Sequence, residues 1–99
     1  MSLIVQKFGG TSVGTVERIK AVAQKVAGFR ERGHDIIVVV SAMSGETNRL
    51  IELAKAMQAE PTPRELDVLV STGEQVTISL LCMALHELGQ GAKSYTGTQ

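Results

Sequence analysis

A lysine followed closely by two adjacent glycines and two hydroxyl residues stands near the start of the chain, in VQKFGGTSVG at residues 5–14. Glycines let a ligand approach main-chain N–H groups that a side chain would shield. A helix N-terminus behind them adds roughly half a positive charge. Lys7, just before the turn, can bring a point charge to the same anion. Lys7, Gly9, Gly10, Thr11 and Ser12 therefore read as a phosphate cradle. It is neither of the two common kinds, because no G-x-x-x-x-G-K-[ST] string occurs and GGTSVG does not match G-x-G-x-x-G. The second apolar run also ends in Ser41-Ala42, where a dinucleotide fold places an acidic residue for the ribose. The plainer reading of Lys7 is a strand-end lysine reaching solvent over a tight turn.

Two further clusters carry chemistry. SAMSGETN and the residue after it place Ser41, Ser44, Thr47, Asn48 and Arg49 close together. Hydroxyls and an amide orient a polar substrate, and an arginine holds a carboxylate or a phosphate. The plainer reading is a helix cap at Ser44 or Thr47, which needs only one of them. In STGEQ, Glu74 follows a glycine inside an otherwise apolar helical stretch, where a carboxylate can receive a substrate ammonium group. A glutamate at a helix N-terminus, favoured by the dipole, fits the same pattern. His34 reads as a solvated turn residue, His86 has no metal-ligand partner at a useful spacing, and no metal site is expected. Cys82, inside LLCMAL, reads as a small buried apolar residue.

The elements that must position these residues follow from periodicity. LIVQKF is a short apolar run stopped by Gly9-Gly10, a buried strand. The helical pattern begins at Val13 and continues through Val16, Ile19, Ala23, Val26 and Ala27, with Arg30 and Arg32 in the last turn and Gly33 as its stop. DIIVVVSA is a β-branched run that suits a strand covered on both faces. A helix carrying Leu50, Ile51, Leu53, Ala54 and Met57 follows and is broken at EPTP. Thr62, Pro63 and Glu65 form a helix start with a capping hydroxyl, a first-position proline and a glutamate three residues after the cap. The apolar spacing meets STGE, resumes from Val76 to Leu88, and stops at Gly89; AKSYTG is a weak last strand. Strands separated by crossover helices predict one α/β domain with a parallel sheet. Ligands of such sheets bind at the carboxyl ends of the strands, where GGTS and SAMSGETN both lie, each expected to open a helix.

Composition narrows the partners. The chain has 99 residues, 43% hydrophobic and 20% charged, enough for one small domain. Ten basic and ten acidic residues cancel, which gives no support to a nucleic-acid or anionic-membrane partner. A single cysteine excludes a disulfide within the chain and suits a reducing compartment. No apolar run is expected to approach the roughly 18 residues of a bilayer span, and no basic leader precedes the first apolar run. The expected location is cytoplasmic.

Taken together, KFGGTSV, VVVSAMSGETN and STGEQ, in this order and followed by SYTGTQ, resemble the aspartate kinases, members of the amino acid kinase superfamily. The resemblance runs over nearly the whole chain. It implies a three-layer αβα fold with a mainly parallel sheet, of the amino acid kinase or carbamate kinase type. Residues 1–99 would be the N-terminal part of that domain, with the rest of the kinase domain and the ACT regulatory domains lying elsewhere. ATP with Mg²⁺ and L-aspartate are the implied ligands, and 4-phospho-L-aspartate, the entry to lysine, threonine and methionine biosynthesis, the implied product.

The resemblance also assigns roles residue by residue. Lys7 is the implied catalytic cation, with Phe8, Gly9, Gly10 and Ser41 beside it at the nucleotide. Ser41, Gly45, Glu46, Thr47, Asn48 and Arg49 are implied to contact aspartate, and Glu74 its α-ammonium. A homo-oligomer is implied for the full-length protein. The 99 residues alone are expected to be inactive and to self-associate through exposed apolar surface. Two other readings compete: a non-catalytic nucleotide- or anion-binding domain, or another amino acid kinase such as one for acetylglutamate. A third takes the chain as a structural or assembly fragment whose loops only cap helices.

Overall fold

The computed structural model describes residues 2–95. Its elements are β1 (Leu3–Phe8), α1 (Val16–Glu31), β2 (Asp35–Val40), α2 (Glu46–Met57) and α3 (Pro63–Glu87). β1 and β2 pair in parallel from Leu3 opposite Asp35 to Phe8 opposite Val40, with α1 as the crossover. The α/β arrangement with a parallel sheet read from the sequence is thus present.

Side chains alternate across the ribbon with the period of two that a strand imposes. Phe8, Ile36, Val38 and Val40 pack with Val13, Ile19, Val22, Ala23 and Val26 of the first loop and α1, and with Leu81 and Leu85 of α3. Each such aliphatic side chain removed from water contributes roughly 1.5–3 kcal/mol, so this layer holds the fold. The alternate residues Leu3, Val5, Ile37 and Val39 are about half exposed or more, on the same side as Lys7. The expectation that β2 is covered on both faces is therefore corrected: among the described residues, helices cover one face.

Both long helices end as their glycines indicate. After α1, Gly33 takes φ +87° while its N–H bonds to Arg30 O and the His34 N–H to Phe29 O. After α3, Gly89 takes φ +80°, with Gly89 N–H on His86 O and Gln90 N–H on Leu85 O. These paired bonds satisfy the last carbonyls of each helix, and the left-handed φ makes glycine the favoured residue.

Three local expectations change. First, α1 begins at Val16, where Thr15 Oγ1 accepts the Arg18 N–H at 3.2 Å. Val13 belongs to the loop and is fully buried beneath it.

Second, α3 runs unbroken for 25 residues through STGE. Ser71 and Thr72 turn their hydroxyls onto their own helix, donating to Val68 O at 2.8 Å and Leu69 O at 2.6 Å. Thr62 does precede α3, but its hydroxyl and N–H donate to Gln58 Oε1 and cap nothing.

Third, α3 is long and apolar enough to cross a membrane by length and composition, contrary to the expectation from the sequence. Here it lies against α1 and α2, burying Gly73, Thr77, Leu81 and Leu85 at four-residue spacing. Of the weak last strand, residues 92–95 have no regular structure, and 96–97 lie outside the described residues. His86, which had no role in the sequence, ties this segment down by donating from Nε2 to Ala92 O at 2.8 Å.

Candidate functional site

The two loops leaving the carboxyl ends of β1 and β2 are joined at the first step past the ladder, where the Ser41 N–H donates to Phe8 O at 3.1 Å. The next contacts are closer than most side chains allow. A Cβ at Gly10 would lie 3.1 Å from Ala42 O, and one at Gly14 3.1 Å from Ser44 Cβ. Neither glycine has positive φ, so close approach and not backbone conformation explains them. On the far side of the second loop, a Cβ at Gly73 of α3 would lie 2.9 Å from Ala42 Cβ and 3.5 Å from both Glu46 Cγ and Leu50 Cδ1. The three motifs read from the sequence thus converge on one buried residue, Ala42.

In the first loop, Ser12 N–H bonds to Gly9 O at 3.0 Å, which turns the chain immediately after the strand. The N–H groups of Gly9, Gly10 and Thr11 have no backbone partner among the described residues. Space beside Gly9 is open, with nothing within 4 Å of a Cβ built there. This loop therefore offers free donors to an incoming anion. The expected helix N-terminus does not sit directly behind them, since Thr11–Gly14 intervene before α1. Lys7 is exposed on the helix-free face, whereas Phe8 points the other way into the core, with Lys25 Nζ 5.6 Å from its ring centroid. Of Phe8, only the main chain borders the loop.

The second loop enters α2 through Gly45 at φ +82°, with no side-chain cap bond. The capping explanation for Ser44 and Thr47 is removed, and both side chains remain exposed with Asn48 in the first turn. Arg49 is not free: its Nη2 and Nε bond to the two carboxylate oxygens of Glu46 at 2.6 and 3.1 Å. That hydrogen-bonded pairing lowers the Glu46 pKa and raises that of Arg49.

Glu74 sits in the interior of α3, exposed, so the helix N-terminal reading fails. It lines a cavity of about 680 Å³ along β2 and α3, with Ser71, Gln75, Ile78 and Cys82. Cys82, expected to be buried, is only half-buried at this hollow, and that partial burial raises its pKa. Lys7, Gly9, Gly10 and Thr47 do not line this cavity. The structure therefore brings the first two loops into contact and places Glu74 next to the Gly73–Ala42 contact, at a hollow whose lining reaches Val40 at the end of β2.

Ala42 and Gly73 were missed by the sequence reading. The available signal was a glycine inside a helix, which costs about 1 kcal/mol relative to alanine and so asks for a packing reason. Among the described residues, no group of three or more His, Cys, Asp or Glu could hold a metal ion.

Comparison with known proteins adds three findings. The model of the amino acid kinase family matches residues 2–99. An aspartate kinase of Stutzerimonas stutzeri is 73% identical over 99 residues, all of this chain but 24% of the relative, so the chain spans about a quarter of that protein's length. The crystal structure of aspartate kinase from Synechocystis superposes with a TM-score of 0.94 at 57% identity, over 98% of this chain and 17% of that one. E. coli aspartokinase III, solved with aspartate and ADP, shares the fold at a TM-score of 0.74 and 23% identity, over 88% of this chain and 29% of that one.

Proposed function

The chain belongs to the amino acid kinase family, and on that premise we propose that it is the N-terminal part of an aspartate kinase domain. The reaction is transfer of the terminal phosphoryl group of ATP to the side-chain carboxylate of L-aspartate, giving ADP and 4-phospho-L-aspartate. The observation that carries this reading is the junction at Ala42. It fixes a loop of unpartnered N–H groups beside Lys7 against a second, hydroxyl-bearing loop, at the strand ends where such sheets bind ligands. The aspartate kinases it resembles at 73% and 57% identity support the choice of acceptor.

Phosphoryl transfer asks mainly for alignment and charge stabilisation. The N–H groups of Gly9, Gly10 and Thr11 hold phosphate oxygens, and Lys7 stabilises negative charge as it moves toward the leaving ADP. Mg²⁺, which this set of residues would hold only through the nucleotide's phosphates, neutralises charge there when bound. Ser41 lies at the meeting of the two loops. Thr47 and Asn48 orient the acceptor, and the exposed Glu74 carboxylate pairs with its ammonium group. An aspartate carboxylate is ionised at neutral pH and needs no general base.

On this reading the full-length enzyme acts in the cytoplasm as a homo-oligomer, at the entry to lysine, threonine and methionine synthesis. Residues 1–99 alone have no appreciable turnover. ADP release by the full-length chain, with and without L-aspartate, tests the assignment. Aspartate-dependent release that collapses in Lys7→Ala supports it. ATP binding indifferent to aspartate supports the non-catalytic anion-binding reading instead.

A further inference from the structure

A single residue, Ala42, stands between the phosphate loop and α3. Ala42 is 7% exposed, and its two sides are occupied by glycines from different elements. Its carbonyl faces Gly10 and its Cβ faces Gly73, at 3.1 and 2.9 Å from where those residues' Cβ atoms would lie. The second separation is shorter than real Cβ contacts allow, and a Cβ cannot rotate away from its backbone. Gly73 has no positive φ that would call for glycine. A helix interior also prefers alanine. What requires glycine at this position is the thickness of the layer.

We propose that Gly73 is a positioning residue. By admitting Ala42, it sets the spacing between the phosphate loop on one side and the first turn of α2 and Glu74 on the other. This deepens the kinase reading and rests on it. A Cβ at Gly73 would press on Ala42, and through the Ala42 carbonyl on Gly10. It would also touch Glu46 and Leu50, but at 3.5 Å, an ordinary van der Waals separation that requires no shift. The displacement therefore separates the donor-side loop from the acceptor-side residues while leaving the contacts within each side in place. Misalignment of about 1 Å costs on the order of a hundredfold in rate.

The test uses the full-length chain, read as aspartate-dependent ADP release, and a swap of the methyl group. Gly73→Ala is expected to lower kcat at least about tenfold, with KM for ATP and for aspartate each within about threefold of the parent. Gly73→Ala combined with Ala42→Gly restores the layer's thickness. It exchanges one glycine for another, so helix gain and loop loss offset, and kcat is expected to recover to within about threefold of the parent. Thermal unfolding is followed for each variant.

A raised aspartate KM with unchanged kcat in Gly73→Ala would mean local damage at Glu74 and overturn the proposal. Unchanged kinetics in Gly73→Ala would do the same. So would a double variant that folds as well as the parent without recovering kcat, or one that does not fold. Absence of aspartate-dependent ADP release in the parent removes the kinase reading and the spacer with it. Release in the parent without rescue by the swap removes the spacer alone.

Discussion

The loops after β1 and β2 start from paired strands of equal length and parallel direction, yet they end in opposite ways. The first runs through Thr11–Gly14 before α1 begins and leaves main-chain donors without backbone partners among the described residues. The second passes through one left-handed glycine directly into α2 and closes its charges on each other, with Arg49 chelated by Glu46. A loop with open donors and a nearby cation gains most from an anion. A loop with its charges internally paired is already ordered, and its exposed hydroxyls and amide at Ser44, Thr47 and Asn48 serve better to orient a bound group than to neutralise it. On the proposed kinase reading, the difference suits the first loop to charge stabilisation and the second to geometry.

The largest expected effect breaks that division at the first loop. Lys7→Ala in the full-length chain is expected to lower kcat about a hundredfold or more, the range seen when one transition-state charge partner is removed. Arg49→Ala should lower it by much less, because the guanidinium is already engaged by Glu46. Equal losses in the two variants, measured as aspartate-dependent ADP release, would erase the contrast.

Next in size is the support beneath the first loop. Val13 is fully buried and belongs to neither neighbouring element, so it anchors the loop to the helix layer. Val13→Ala removes two methyl groups' worth of packing and is expected to cost about 2 kcal/mol of stability. Urea unfolding measures it. A loss below about 0.5 kcal/mol would show a loop free to collapse into the gap.

Smaller again is the hinge of the second loop. Gly45 sits at φ +82°, with nothing within 4 Å of a Cβ built there, so Gly45→Ala meets backbone strain and no clash. The expected loss is about 1 kcal/mol. The same unfolding measurement checks it, and a stabilised variant would mean that the loop adopts another backbone conformation.

The parts of this molecule that could be read in sequence are those governed by local chemistry. LIVQKF and DIIVVV are too apolar and β-branched to be loops, and Gly33 and Gly89 mark helix ends because their φ angles demand it. The three chemical motifs were legible as residue types. Their junction was not, because it depends on neighbours remote in sequence. STGE read as an interruption since Ser, Thr and Gly each weaken a helix in isolation. In the structure their hydroxyls bond back along α3, and the glycine admits Ala42. Val13 read as helical because its spacing fits the period of α1, although its role is to fill space under a loop. The bare face of the ribbon was hidden for a similar reason: a β-branched run records that a strand is apolar, not what covers it.

The smallest expected effect sharpens the comparison at the second loop. The hydrogen bonds from Arg49 hold the Glu46 carboxyl below its usual 4.5. A carboxyl whose pKa is lowered by folding contributes stability above its unfolded value and loses it as pH falls through its folded value. The Glu46–Arg49 pair therefore acts in full at neutral pH and fades only under acid conditions. Arg49 is exposed and Glu46 half-buried at the surface, so the pair's contribution is minor and salt-sensitive. Titration of the Glu46 carboxyl by NMR should give a midpoint below 4.5 that returns toward it in Arg49→Ala. An unmoved midpoint would mean that the chelate does not persist in solution. Arg49 would then be free to meet an anion itself, and the second loop would share the charge-stabilising role proposed for the first.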